Sequence, residues 1–291
     1  MSLRSTELRT RMFEFSSRVN VLLPRTERYK VVSAIPLQVP LVSLASIKFE
    51  NLEKLGKGVN GTCYRHKFSD MEETVCIKVF KRSFIRCRGW HAMLLEAEWL
   101  KKLDDTPGIP KLIAFSPLAP CAIIMSDVGT LTYQDWLSIN RRNPREVISV
   151  LKKTSMIIDR THERGLSHND LHERNIVVDD KNNEPTIVDV GNMLPFGVRS
   201  WRTVCYTHMP WRQMLWIDVV DASGNVIMLG KLIRYSLPFL SLDAPIRAEL
   251  ATLAKECIRQ DSMPISDVVV KLDGILSLMN DMPCNSSWQR E

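Results

Sequence analysis

Two aspartates and an asparagine stand close together in the stretch GLSHNDLHERNIVVDDKNNEPTIVDVG, residues 165–191. Asp170 and Asn175 precede a β-branched run, Ile176 to Val178, and Asp189 follows a second one, Thr186 to Val188. The polar residues 179–185 between the runs predict a hairpin with a wide loop. Antiparallel pairing would bring all three polar side chains to one end of the ribbon. That end is a hard-oxygen site. A carboxylate and an amide oxygen can hold Mg²⁺, which keeps waters or phosphate oxygens as further ligands, while a second carboxylate takes a proton. Singly, each of these residues is as well explained as a turn cap beside a strand. Their order and grouping point to chemistry.

The upstream chain must position them. IKFENLEKLGKGVNGTCYRHKF, residues 47–68, followed by TVCIKVF at 74–80, reads as three strands joined by turns. Gly56, Gly58 and Gly61 form G-x-G-x-x-G. A dinucleotide-binding turn of this spacing opens a helix, whereas Thr62-Cys63-Tyr64 continues as strand. Lys78 lies 17 residues beyond Gly61, between Ile77 and Val79, and on spacing alone is an exposed strand lysine. Met93, Leu94, Ala97, Leu100 and Leu103 recur at helical spacing and predict a helix over Trp90 to Leu103, with Glu96 and Glu98 as candidate partners for a cation. A second long helix is punctuated by Asn143 as N-cap, Pro144 at the first position, Glu146 in the first turn and Gly165 past the end. It delivers the chain to Asp170.

Taken together, these motifs resemble the protein kinase superfamily. His168-Asn169-Asp170 with Asn175, then Asp189-Val190-Gly191, is similar to the catalytic loop and metal-binding triplet. Gly56, Gly58 and Gly61 resemble the glycine-rich lid, with Cys63 where valine is usual, and Cys76-Ile77-Lys78 resembles the V-A-I-K strand. Ala122 to Met125 leading into Ser126-Asp127-Val128-Gly129 resembles the hinge. The resemblance implies Asp170 as catalytic base, Lys78 on the ATP phosphates with Glu96 as its ion-pair partner, and Asn175 and Asp189 on magnesium. It places Met125 beside adenine, with the backbone of Asp127 and Val128 hydrogen-bonding the ring. His172 stands two residues after the base, where serine/threonine kinases carry lysine.

Several positions depart from the family pattern. Asn169 replaces the arginine that grips a phosphorylated activation loop, Arg174 matches the tyrosine-kinase form, and Val190 replaces phenylalanine. HNDLH is also similar to small-molecule phosphotransferases related to the kinases. Met209-Pro210-Trp211 stands near the A-P-E position with Trp211 for glutamate, and Met263 occupies the place of the arginine that normally pairs with it. Removing both partners of a buried pair together is close to neutral, unlike removing one. Asn225 stands for the aspartate of the D-V-x-S-L-G helix.

Composition sets outer bounds. The chain of 291 residues is 45% hydrophobic and carries a net charge of +6. Residues 1–30 hold seven basic against three acidic side chains, net +4, leaving +2 for the rest. The basic tail reads as a solvated, partly disordered extension, and no nucleic-acid partner is expected. The uncharged run Val31 to Ile47 contains Pro36 and Pro40 and is too short to span a bilayer, so it reads as an extended segment lying on a lobe and no membrane partner is expected. Seven cysteines without C-x-x-C spacing predict a reducing intracellular compartment, cytoplasmic or nuclear.

The expected fold is α+β and two-lobed: a small antiparallel β-sheet N-lobe with one main helix, and a mostly helical C-lobe. Its expected parts are an N-terminal extension over 1–46, the N-lobe with the hinge over 47–128, the C-lobe over 129–282 and a tail over 283–291. The expected activity is protein phosphorylation with ATP and Mg²⁺, on Ser/Thr or Tyr hydroxyls. The alternatives are a small-molecule phosphotransferase and a nucleotide-binding pseudokinase.

Overall fold

The computed structural model describes residues 39–69, 71–81, 90–139, 143–198, 200–203, 214–217, 220–259 and 263–281. Arg82, Arg86 and Arg88, Met209-Pro210-Trp211, the basic tail and the C-terminal tail lie outside these residues. The chain divides into two units, Met1–Asp105 with Ile109–Thr130, and Thr106–Gly108 with Leu131–Glu291.

The first unit is built on β1 (Glu53–Lys57), β2 (Gly61–His66), β3 (Val75–Phe80), helix α1 (Trp90–Lys102), β4 (Leu112–Ser116) and β5 (Ala122–Ser126). The strands form one antiparallel sheet in the order β1-β2-β3-β5-β4. β-Branched and aromatic side chains suit the pleat, and alternation sends Val75 and Ile77 to one face and Cys76 and Lys78 to the other. The first face closes over Ala114, Ala122, Ile124 and Leu44, the last of these 1% exposed. Leu44 belongs to the run read as an extended segment. Leu41 bridges Phe115 in parallel, and backbone bonds join Val42 N to Phe115 O and Phe115 N to Pro40 O, so this run extends the sheet beyond β4. Helix α1 packs on β4 and β5 through the periodic residues Met93, Leu94, Ala97 and Leu100, all buried.

The second unit comprises α2 (Tyr133–Ser138), α3 (Pro144–Glu163), β6 (Leu166–Ser167), β7 (Ile176–Asp179), β8 (Glu184–Ile187), β9 (Leu194–Pro195), β10 (Ser200–Thr203), β11 (Met214–Ile217), α4 (Ser223–Ser236), α5 (Ala244–Ile258) and α6 (Ile265–Asp281). Among the described residues the unit is thus mostly helical, with its strands in two-stranded pairs. Asn143 caps α3 by accepting from Arg145 N at 2.9 Å, and Gly165 past its end takes φ +70°, where a Cβ would be strained. The face carrying Val147, Leu151, Thr154 and Ile158 is buried, and α3 packs on α6 and β8.

The hairpin forms, Ile176 pairing with Ile187 and Asp179 with Glu184. The second strand begins two residues earlier than its β-branched run. Pro185 is accommodated in it, and Val188 leaves the ladder to donate its N–H to Asn175 O at 2.9 Å. No helix among the described residues is long and apolar enough to cross a membrane.

Candidate active site

In the first unit, Gly56 stands in β1, Gly58 in the turn that follows and Gly61 at the start of β2. A Cβ on Gly61 would stand 2.5 Å from Val79 O, so the close approach of β2 to β3 requires glycine there, while Gly56 and Gly58 border open space. Gly58 N donates to Gly61 O at 2.9 Å. Lys81 Nζ reaches Gly58 O at 2.9 Å and Val59 O at 2.8 Å, bracing the turn from β3.

Lys78 is not an exposed strand lysine. It is 7% exposed, and its Nζ donates to both oxygens of Glu96, 3% exposed, at 2.6 and 2.8 Å. Between the two candidate glutamates the structure takes Glu96. Glu98 lies off that face, where burial raises its carboxyl pKa above the ordinary value and Lys102 opposes the rise.

Cys63 pairs in register with Lys78, and Cys76 with Met125. Cys63, Cys76, Lys78 and Met125 therefore share the sheet face that α1 supplies with Glu96. Met125 is buried. The Asp127 carboxylate is committed within the unit, accepting from Arg65 Nε at 2.5 Å, Thr74 Oγ1 at 3.3 Å and Gly129 N at 3.0 Å. Burial alone would raise its pKa, and these donors bring it below the ordinary value. Its side chain anchors the turn, which leaves backbone groups of Asp127 and Val128 as the parts suited to a heterocycle.

In the second unit, Asp170, Asn175 and Asp189 gather at one end of the β7–β8 ribbon. Asn175 Nδ2 donates to Asp170 O at 2.9 Å, so its amide oxygen is the part able to meet a cation. Asp189 takes a left-handed backbone, φ +60°, as does Asn169 at φ +59°. Such conformations in non-glycine residues cluster at functional sites, and Asn and Asp adopt them more readily than others. The pair Asn175 and Asp189 is a hard-oxygen set with few protein ligands. It suits Mg²⁺, which completes its shell with water and phosphate oxygens.

The Asp170 carboxyl is raised above its ordinary value by burial, with Asp189 adding to the rise and His172, Asn192 and Asn175 opposing it. A raised pKa makes a stronger base nearer the working pH. His172 Nε2 stands 4.0 Å from Asp170 Oδ1, and its Nδ1 accepts from Arg174 N at 3.2 Å. Asn192, which the sequence did not single out, donates from Nδ2 to Asp170 Oδ2 at 3.0 Å. Its only sequence signal is its place three residues after Asp189.

The loop is anchored from beneath. Asn225, fully buried, accepts from Asn169 N at 3.3 Å, and its Nδ2 lies 2.8 Å from His162 Nε2. The amide therefore donates to a neutral imidazole. Burial pushes His162 down to about 4 against the pull of Asp221, and pushes His168 down to about 4 against the pull of Asp189. Unfolded histidines protonate near pH 6.5 and these folded ones only near 4, so their contribution to stability is complete above 6.5 and is lost as pH falls toward 4. His162→Gln keeps an acceptor for Asn225 and removes one titrating group. Urea unfolding of the native chain is expected to lose more midpoint between pH 7 and 4.5 than that of the variant. Equal losses would remove His162 from the acid response.

The Protein kinase domain family profile matches residues 49–209, more than half of the chain. Serine/threonine-protein kinase 1 of African swine fever virus (isolate Pig/Kenya/KEN-50/1950) is 28% identical over 98 residues, which is 32% of this chain and 32% of that protein. The chain thus aligns with about a third of the length of that relative. With a five-stranded antiparallel sheet and one α-helix among the described residues of its first unit, a mostly helical second unit, and a profile match running from the glycine turn through Asp189, this chain belongs to the protein kinase family.

Proposed function

We propose that the protein transfers the γ-phosphoryl group of ATP to serine or threonine hydroxyls of proteins. The observation that carries this reading is the Lys78–Glu96 pair, buried and doubly hydrogen-bonded. A buried ion pair is a poor stabiliser next to an apolar pair of the same volume, so its presence asks for a role beyond folding. Holding a cation rigidly for a polyphosphate is such a role.

On this reading each unit contributes its own groups. In residues 47–128, the lobe we assign to the nucleotide, Lys78 meets the α and β phosphates. Gly56, Gly58 and Gly61 let the backbone approach them, and Cys63, Met125, Asp127 and Val128 border the adenine. In residues 129–282, Asp170 accepts the hydroxyl proton and His172 stands beside its Oδ1. Bound Mg²⁺, taken by the Asn175 amide oxygen and the Asp189 carboxylate, supplies charge neutralisation on the phosphates. Catalysis is then mainly positioning and electrostatics. The serine/threonine assignment rests on the name of the viral relative.

A second reading, a small-molecule acceptor, draws on Asn169. Its side chain turns back to bond Ser167, with Nδ2 on Ser167 O at 3.0 Å and Oδ1 taking Ser167 Oγ at 3.1 Å. It is uncharged and has no grip for an activation-loop phosphate.

The test is transfer of label from γ-labelled ATP with Mg²⁺ to the protein itself, to a mixed protein substrate and to a panel of small alcohols. Labelled protein supports the first reading, and labelled alcohol alone supports the second. ATP binding with no transfer to either overturns both in favour of a pseudokinase.

A further inference from the structure

We propose that Asn192 is a positioning residue for this transfer: its side-chain amide holds Asp170 by Oδ2, so that the acceptor hydroxyl gives its proton to Oδ1, beside His172. This rests on the phosphotransfer reading and deepens it.

Residues Val190–Asn192 form a single 3₁₀ turn that starts from the left-handed Asp189 and closes with Met193 N donating to Val190 O at 3.0 Å. Val190 and Met193, on either side of the exposed Asn192, are each 1% exposed. The turn is nailed into the core at both ends, and the polar side chain between them projects from a fixed backbone. It meets Asp170 Oδ2 at 3.0 Å, a full hydrogen bond to a carboxylate. The Asn192 carbonyl lies 3.5 Å from Asn169 Nδ2, a long contact that ties the turn to the residue preceding the base.

Two amides thus pin the same aspartate. Asn175, from the start of β7, holds its backbone carbonyl, and Asn192, from the turn beyond β8, holds its carboxylate. On the opposite oxygen stands His172 Nε2 at 4.0 Å, while the other ring nitrogen, Nδ1, accepts from Arg174 N at 3.2 Å. The terminal torsion of an aspartate is broad, and without a donor on Oδ2 the carboxylate turns in its place. Misplacing a reacting atom by a fraction of an ångström is costly in rate and nearly silent in stability. Asn192 also sits three residues from Asp189, so the turn that presents a metal ligand also orients the base.

The test uses the full chain carrying Asn192→Leu, similar in size without a donor, and Asn192→Gln, which restores an amide at an exposed position. In the leucine variant kcat is expected to fall about 10- to 100-fold, with KM for ATP and the melting temperature unchanged. The glutamine variant is expected to recover most of kcat. In an Asp170→Asn background, adding Asn192→Leu is expected to change nothing further, since the effect passes through Asp170. A readout independent of turnover is the Asn192 side-chain amide resonance pair, expected to move when Asp170 is replaced by Ser. An unmoved pair overturns the contact. An active native enzyme whose kcat is indifferent to Asn192→Leu overturns this role alone, whereas a native chain that transfers nothing overturns the phosphotransfer reading and the role with it.

Discussion

Asp170→Asn is expected to lower the rate of phosphoryl transfer by a factor on the order of 10² to 10⁴ while leaving the melting temperature nearly unchanged. The carboxamide has almost the shape of the carboxylate and keeps an oxygen for the Asn192 amide at the position now 3.0 Å away. Its backbone carbonyl still accepts from Asn175 at 2.9 Å. What it lacks is the capacity to take a proton. Single-turnover transfer measured beside nucleotide binding separates the two properties. A variant that binds ATP normally and retains more than about a tenth of the native rate would place the base elsewhere, since general-base removal costs more than that.

The second large effect is expected at the buried pair in the first unit. Glu96→Ala removes the carboxylate that accepts from Lys78 Nζ at 2.6 and 2.8 Å, at a lysine only 7% exposed. Breaking one side of such a pair costs on the order of 3 to 5 kcal/mol. That is a large fraction of the stability of an ordinary domain. The double replacement Lys78→Met with Glu96→Leu removes both charges and fills similar volume, so stability is expected to return close to native. Transfer is expected to be lost in both proteins. Urea midpoints of the three chains decide the matter. A double variant as unstable as Glu96→Ala would mean that the pair itself holds the unit together, and the argument that it exists for a ligand would fall.

The two experiments separate chemistry from packing. The Asp170 variant keeps the packing and removes chemistry. The Lys78–Glu96 double variant restores packing without restoring chemistry.

Much of the site was legible in the amino-acid sequence because its signals are local. Glycine spacing followed by strand-forming residues marked the turn whose Gly61 proves to be sterically required. Asn143, Pro144 and Gly165 bounded helix α3, since caps are set by residues within a turn of the helix end. The β-branched runs marked the hairpin, but not its register. Pairing is decided by which strand faces are buried and by where the chain must leave the ladder, and Val188 leaves it to meet Asn175.

By itself, the sequence pointed to the family, placed the glycine strands, helices α1 and α3 and the hairpin, and singled out Lys78, Asp170, Asn175 and Asp189 as candidates for chemistry. Periodicity records which face of an element is apolar and which residue types are available on it. It does not record what that face meets. Tertiary structure alone decided that Lys78 is buried, paired with the Glu96 that the family resemblance implied, and that Asp127 is held by Arg65 from β2. It alone brought Asn192 onto Asp170, and His162 and Asn169 onto Asn225, and placed Leu44 in the core of a sheet whose strands begin beyond it. Each is a contact between segments distant in the chain, or a choice between neighbours of equal propensity. Burial and hydrogen-bond satisfaction in the closed fold make that choice.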